Sequence, residues 1–151
     1  MKKLILLAAV LGAAYGVMRW KRAGDDEATH RNLAYNRIWV DHLPTSEKDP
    51  FHVFAAFPRW AQGGFAVETR WHGEVERYRF EREGDVVNAI FPWTGDRERI
   101  TLRAYRCDEA DMDYCLEMTG SKRGAKKYYS RSGWEKGSVE DIDAFRASLF
   151  Q

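Results

Sequence analysis

From Phe51 to Arg131 apolar and polar residues alternate, and turn-forming residues interrupt the alternation about every ten positions. Phe65, Val67, Thr69 and Trp71 alternate with Ala66, Glu68, Arg70 and His72. Tyr78 and Phe80 alternate with Arg77, Arg79 and Glu81, and Val87, Ala89, Phe91 and Trp93 continue the theme. Ile100, Leu102 and Ala104 then stand against Arg99, Thr101 and Arg103, and Tyr114, Leu116 and Met118 against Asp113, Cys115 and Glu117. One apolar face and one charged face is the mark of half-buried antiparallel strands. Glu83-Gly84-Asp85, Thr94-Gly95-Asp96 and Gly120–Gly124 put glycine and polar partners between them, which is turn chemistry. Counting Ile38–Asp41, the pattern predicts eight strands at 37–41, 51–57, 64–72, 75–82, 86–93, 97–107, 113–120 and 125–131. Successive tight hairpins make an up-and-down meander. Eight strands with one apolar face each bury those faces most completely by closing into a barrel, with a two-sheet sandwich as the alternative.

The period changes at both ends. Ser138-Val139-Glu140-Asp141 carries a capping signal, and Val139, Ile142, Phe145 and Leu149 fall at helical spacing. This predicts a C-terminal helix of about eleven residues packed outside the barrel or across one end. At the other end, Leu4–Met18 is a run of 15 uncharged residues behind Lys2-Lys3. That is the plan of a secretory signal, with Ala14 and Gly16 small enough for cleavage, or of a short membrane anchor. Arg19-Trp20-Lys21-Arg22 argues against cleavage and suits a retained anchor at the membrane interface. Residues 1–22 are therefore read as a signal or membrane helix, 23–35 as a polar linker and 36–151 as the β-domain. The domain is expected outside the cytoplasm, exported or tethered to the inner membrane, although the basic flank would also suit a cytoplasm-facing domain.

Charge sharpens this division. The chain has 24 basic and 23 acidic side chains, but the first 24 residues hold five bases and no acid. The remainder carries 19 bases against 23 acids, a balance of −4. Lys122, Arg123, Lys126 and Lys127 beside Tyr128-Tyr129 invite a nucleic-acid reading. The acidic balance and the adjacent acidic run from Asp108 to Glu117 argue against it, so nucleic acid is not expected as a partner.

Cys107 and Cys115 flank the loop Asp108–Tyr114. Pairing 107 with 115 sets Tyr105 against Glu117, Ala104 against Met118 and Arg103 against Thr119, which keeps like faces together. Both sulfurs then lie on the outward face, and in an exported domain they are expected to form a disulfide. Two cysteines and four scattered histidines do not make a metal site.

Catalytic patterns are scarce: there is no phosphate-binding glycine loop, G-x-S-x-G, H-E-x-x-H or C-x-x-C. Asp41-His42 and His52 bracket the loop Leu43–Pro50, where a His–Asp pair would be a candidate base. Neighbouring strand residues point to opposite faces, so Asp41 and His42 are expected to be structural. No enzyme activity and no cofactor are expected. The inward aromatics are the stronger candidates. Phe65, Trp71, Phe80, Phe91 and Trp93 fall on inner-facing positions, and an eight-stranded barrel either fills with side chains or holds one small ligand. Arg106 follows Ala104 on the same face, where it would meet a ligand carboxylate or reach solvent at the rim.

Eight meandering strands with Trp39 early in the first, and a helix after the last hairpin, resemble the lipocalin-like (calycin) barrels over about residues 36–150. That family packs a first-strand G-x-W tryptophan across the barrel floor beneath a late-strand arginine. Here Trp39 matches the tryptophan, Arg37 stands in the glycine position, and Arg131 is the candidate arginine. Asn36–Pro44 and Lys126–Trp134 also look like segments of small exported bacterial proteins. The resemblance implies binding of small hydrophobic or amphipathic molecules, with a loop over the mouth corresponding to Leu43–Phe51. The expected ligand-binding residues are Trp39, Phe65, Trp71, Phe80, Phe91, Trp93 and Arg106. The alternative is a filled barrel acting as an envelope protein–protein module through the charged hairpin 108–127.

Overall fold

The computed structural model describes residues 32–151, and the signal or anchor segment 1–22 and most of the linker lie outside them. Among the described residues no helix is long and apolar enough to cross a membrane. Eight antiparallel strands close into a barrel in simple meander order. They are β1 (Trp39–Val40), β2 (Phe51–Phe57), β3 (Gln62–Glu68), β4 (Gly73–Glu83), β5 (Val86–Ile90), β6 (Arg97–Glu109), β7 (Met112–Thr119) and β8 (Lys127–Ser130). Val40 opposite Tyr129 closes the ring between β1 and β8. A single 3-10 turn (Pro58–Trp60) separates β2 from β3, and one helix, α1 (Asp141–Leu149), follows the barrel. The up-and-down order puts loops 41–50, 69–72, 91–96 and 120–126 at one end, here called upper. Turns 58–61, 84–85 and 110–111 lie at the lower end.

The interior is a ring-on-ring core. Trp39, Phe54, Phe65, Tyr78, Phe80, Phe91, Ile100, Leu116 and Tyr128 all lie between 0% and 5% exposed. The Phe54 ring sits 5.1 Å from Phe65 and 5.9 Å from Tyr128, and Tyr78 lies 5.4 Å from Phe91 and 5.8 Å from Phe80. Each such side chain contributes about 1.5–3 kcal/mol by leaving water, with ring–ring geometry adding to it. Small residues make room for large ones. Gly63 lies directly across from Tyr78, and a Cβ there would collide with the tyrosine ring and the Ala55 carbonyl. Tyr78 Oη donates to that carbonyl at 3.1 Å, and burial pushes the phenol far up. The linker contributes too: Ala34 and Tyr35 are buried in this core, and Trp39 Nε1 donates to the Ala34 carbonyl at 3.0 Å.

A second core lies outside the wall. Ile38, Val40, Phe51, Val53, Ala55, Phe57 and Ala66 point outward and are covered by Val139, Ile142 and Phe145 of the helical segment. This is why β2 (FHVFAAF) is apolar on both faces while most other strands alternate. The capping signal operates through Asp141, whose carboxylate accepts the backbone N–H groups of Gly137 and Ser138 at 3.1 Å each. One ion pair pins α1 to the wall: Arg146 Nη1 donates to Glu68 Oε2 at 2.8 Å, and Glu68 is wholly buried.

The disulfide joins Cys107 and Cys115, but the hairpin register differs from the expected one. Tyr105, not Cys107, stands opposite Cys115, with Leu102 opposite Met118 and Arg103 opposite Glu117. The expected loop Asp108–Tyr114 is mostly strand. Ala110 and Asp111 take the left-handed conformation of a two-residue turn, so pairing continues to Glu109 and Met112 through an irregularity after Arg106. A shift of two residues preserves the faces, and the bridge spans diagonal neighbours 5.8 Å apart at Cα.

Burial pushes the Glu68 carboxyl above its ordinary range, against the pull of Arg146. The folded state therefore holds this proton more tightly than the unfolded chain. The associated stability is complete below the unfolded pKa of about 4.3 and is lost as pH rises through the raised value. Glu68→Gln does not titrate. Urea denaturation across about pH 4 to 8 should show the variant gaining stability relative to wild type as pH rises. A difference between the two that stays flat over that range contradicts the assignment.

Candidate rim site at the upper mouth

The expected site residues divide between three places. Trp39, Phe65, Phe80 and Phe91 are inside the barrel, and Phe65 and Phe91 meet at 6.0 Å. Trp71 and Trp93 are not inside: they are 70% and 89% exposed on upper loops. The alternation that placed them inward runs past the true strand ends. β3 stops at Glu68, because Thr69 N–H donates to the His72 carbonyl and residues 69–72 reverse the chain. Trp71 is thrown outward and lies beneath Arg70, whose guanidinium is 4.6 Å from the ring. β5 stops at Ile90, since Gly95 N–H donates to the Phe91 carbonyl and turns Pro92–Asp96 away from the barrel. Arg106 sits at the opposite, lower end and rests on Tyr114 at 5.8 Å.

The floor is built differently from the resemblance. Arg37 itself covers Trp39 at 5.9 Å and Tyr114 at 4.2 Å, and donates to Ser130, to the Arg131 carbonyl and to Glu135. Arg131 turns to Trp134 instead. The arginine thus comes from two residues before the tryptophan, in the position where the family carries glycine.

The upper mouth is stoppered by Arg123 from the loop between β7 and β8. Its guanidinium lies 3.5 Å from the Phe91 centroid and donates to Glu76 at 2.6 and 2.8 Å, to Glu98 at 2.8 Å and to Asp96 at 3.0 Å. Hydrogen bonding to Glu76 leads the effects that push the guanidinium pKa further up, and Arg123 in turn holds Asp96 below its ordinary range. Glu98 faces inward on β6 and is nearly buried, and Arg123, the Ser121 hydroxyl at 2.7 Å and the Lys122 backbone N–H together make a carboxylate tolerable there, with Arg123 supplying the charge. The loop reaches in because Gly124, at φ 64°, passes tightly against the Tyr128 hydroxyl, which also accepts the Ala125 N–H at 2.8 Å. Burial pushes that phenol up to about 12.

Beside the stopper runs an open groove of about 840 Å3 between Val67, Glu74, Trp93 and Gly124, with His52 and Phe65 in its lining. Beside this groove Asp41 meets both His42 and His52. Asp41 Oδ2 accepts His52 Nδ1 at 2.8 Å, its Oδ1 accepts the His52 backbone N–H, and His42 Nδ1 lies 3.0 Å from Asp41 Oδ1. His42 Nε2 reaches Asp49 at 3.2 Å, and the Thr45 N–H leads the bonds that hold the Asp49 carboxyl below its ordinary range. Asp41 and His52 flank one hairpin, so cross-strand pairing joins them even though they lie eleven residues apart. A carboxylate only accepts, so Nδ1 of His52 carries the proton and a neutral ring offers its Nε2 lone pair. No group of three or more metal-ligating side chains occurs among the described residues. Two of the four basic residues singled out in the sequence are engaged: Arg123 fills the mouth and Lys127 pairs with Glu109 at 2.5 Å.

Removing the stopper strands a nearly buried carboxylate. Arg123→Met should lower stability by about 3 kcal/mol. Arg99→Met, which removes an exposed arginine held by a long ion pair to Glu83 and a long hydrogen bond to Asn88, should cost less than about 0.5 kcal/mol. Chemical denaturation of both variants checks this, and equal small losses would show that the mouth does not depend on Arg123.

Comparison with known proteins gives no matching family model, no matching curated protein and no matching solved structure. What this chain shares with the lipocalin-like barrels is architecture: an eight-stranded antiparallel closed barrel with a helix after the last strand.

Proposed function

We propose that this protein is a binding module that takes a small amphipathic molecule with a cationic head in the groove at its upper mouth. The observation that carries the reading is the filled interior: a ligand chamber would leave its lining aromatics accessible, and these are 0–5% exposed. Accessible apolar surface lies instead on the rim, at Trp93 and Val67. The groove's charged lining is Glu74, Glu76 and Arg123, and Arg123 is already shared with Glu98 and Asp96. Glu74 has only His72, at 3.5 Å. An ammonium head on Glu74, donating also to His52 Nε2, with its apolar body over Trp93, satisfies both kinds of surface.

The module works outside the cytoplasm, exported or held to the inner membrane by residues 4–18, as the positive start and apolar run support. The described chain begins at the lower end, where Asn32 Oδ1 accepts from Arg82. The second reading, a protein–protein module without a small ligand, is favoured by the same filled interior.

Titration of the full chain with octylamine and with octanoate tests the proposal. Octylamine is expected to quench tryptophan fluorescence, and Trp93→Ala or Glu74→Gln should weaken it by about tenfold, the value of one charge-assisted contact. Octanoate binding more tightly than octylamine, or amine binding indifferent to both substitutions, overturns it. For the address, the protein should fractionate with membranes at a non-reducing mass that retains residues 1–22 and lacks two thiol hydrogens. Recovery from the cytosol with free thiols counts against it.

A further inference from the structure

Among the described arginines, Arg79 and Arg97 are the two that have no carboxylate, hydrogen-bond or ring partner. The contrast is sharp. Arg37, Arg70, Arg77, Arg99, Arg103, Arg123 and Arg146 meet carboxylates. Arg59 and Arg106 lie over rings, Arg82 bonds Asn32, and Arg131 bonds the Asp111 carbonyl. The two without partners are also neighbours. Arg79 stands opposite Ile90, and Ile90 stands opposite Arg97, so one outward row crosses β4, β5 and β6 with an apolar side chain between two guanidiniums. At about 4.8 Å per strand, their backbones are about 10 Å apart.

This row lies in an open groove of about 830 Å3 on the outer wall, which runs from Trp60 at a lower turn to the strand ends beside the upper loop 91–96 and shares no lining residue with the mouth groove. Trp60 forms one side, 54% exposed, with its Nε1 fixed on the Gly137 carbonyl at 3.1 Å. Arg99 takes Asn88 Oδ1 at 3.3 Å, which leaves the Asn88 amide nitrogen as a donor. Gln62 adds a second amide beside Arg79, and Glu81 adds an acceptor across from Asn88. The formally charged residues of the outer lining are three arginines and Glu81, a local balance of +2 on a domain of −4. Glu98 also borders the groove but faces the interior, where Arg123 holds it.

We infer that this outer groove is a binding site for an acidic saccharide, with its carboxylates on Arg79 and Arg97 and a ring against Trp60. Guanidinium forks match carboxylates in geometry, and both forks here are unspent. Hydroxyls need mixed donors and acceptors, which Asn88, Gln62 and Glu81 supply. A lipid chain needs a continuous apolar lining, and the exposed apolar residues of this groove are Trp60, Ala61 and Ile90, broken up by arginines, amides and Glu81. The site is separate from the mouth groove, and each can fail without the other.

Calorimetric titration of the full chain in non-ionic detergent, using an oligogalacturonate tetramer, tests the inference. Binding should weaken with salt, and should fall by about tenfold or more in the Arg79→Gln/Arg97→Gln variant, whose exposed positions leave folding intact. Trp60→Leu should also weaken it, whereas Arg103→Gln, which removes a paired arginine from the same sheet, should not. No binding, or binding unchanged in the double variant, overturns the site. Maltotetraose or inorganic phosphate binding as tightly as the uronate overturns the assignment to an acidic sugar. Tighter capture by phosphatidylglycerol vesicles through Arg79 and Arg97 overturns it in favour of a lipid surface.

Discussion

Closing eight strands into a ring leaves an interior about as wide as two layers of side chains, and everything else in this protein follows from what occupies that space. The occupants are aromatic: Phe54, Phe65, Tyr78, Phe80, Phe91 and Tyr128 interlock, with Gly63 and Ala89 yielding room. Because the rings meet one another directly, the barrel is a solid core and binding surfaces are displaced to its rim and its wall. The exposed tryptophans are consistent with that displacement. Trp60, Trp71 and Trp93 all stand outside, on turns.

The ends of the barrel are closed by charge. Arg37 lies over Trp39 at the floor and Arg123 over Phe91 at the mouth, and each guanidinium is satisfied by several acceptors. A guanidinium suits such a place because its flat face covers a ring while its edge donates to carboxylates. The helix is held by the same device, Arg146 on buried Glu68. In each case a cation compensates a polar group at the edge of an apolar core. The wall between Arg79 and Arg97 breaks this pattern, because there the cations have no compensating partner.

Face assignment was legible throughout the strands: Phe65, Phe80, Phe91, Ile100, Leu102, Leu116 and Met118 point inward as their alternation requires. So were the helix, through Ile142 and Phe145, and the Cys107–Cys115 bridge. The errors lie at strand ends. Alternation states which face a residue takes while the strand lasts, and carries no signal for where it stops. Thr69–His72 and Pro92–Asp96 continue the apolar rhythm through residues whose backbone bonds make turns, and this misplaced Trp71 and Trp93. The hairpin register slipped by two for the same reason: a left-handed Ala110-Asp111 pair is a tighter turn than its composition suggests.

The sequence by itself determined an eight-stranded meander, the inward face within the strands, the amphipathic helix and the separation of a basic N-terminal segment from an acidic domain. These depend on period and composition, which are local properties of the chain. Only the tertiary structure decided that the barrel is filled, that Asp41 meets His52, that Arg123 enters the mouth, and that Arg79 and Arg97 align across Ile90. Each of those joins residues from different strands or loops, so it depends on register and turn geometry. Both are set by how side chains pack across the closed ring.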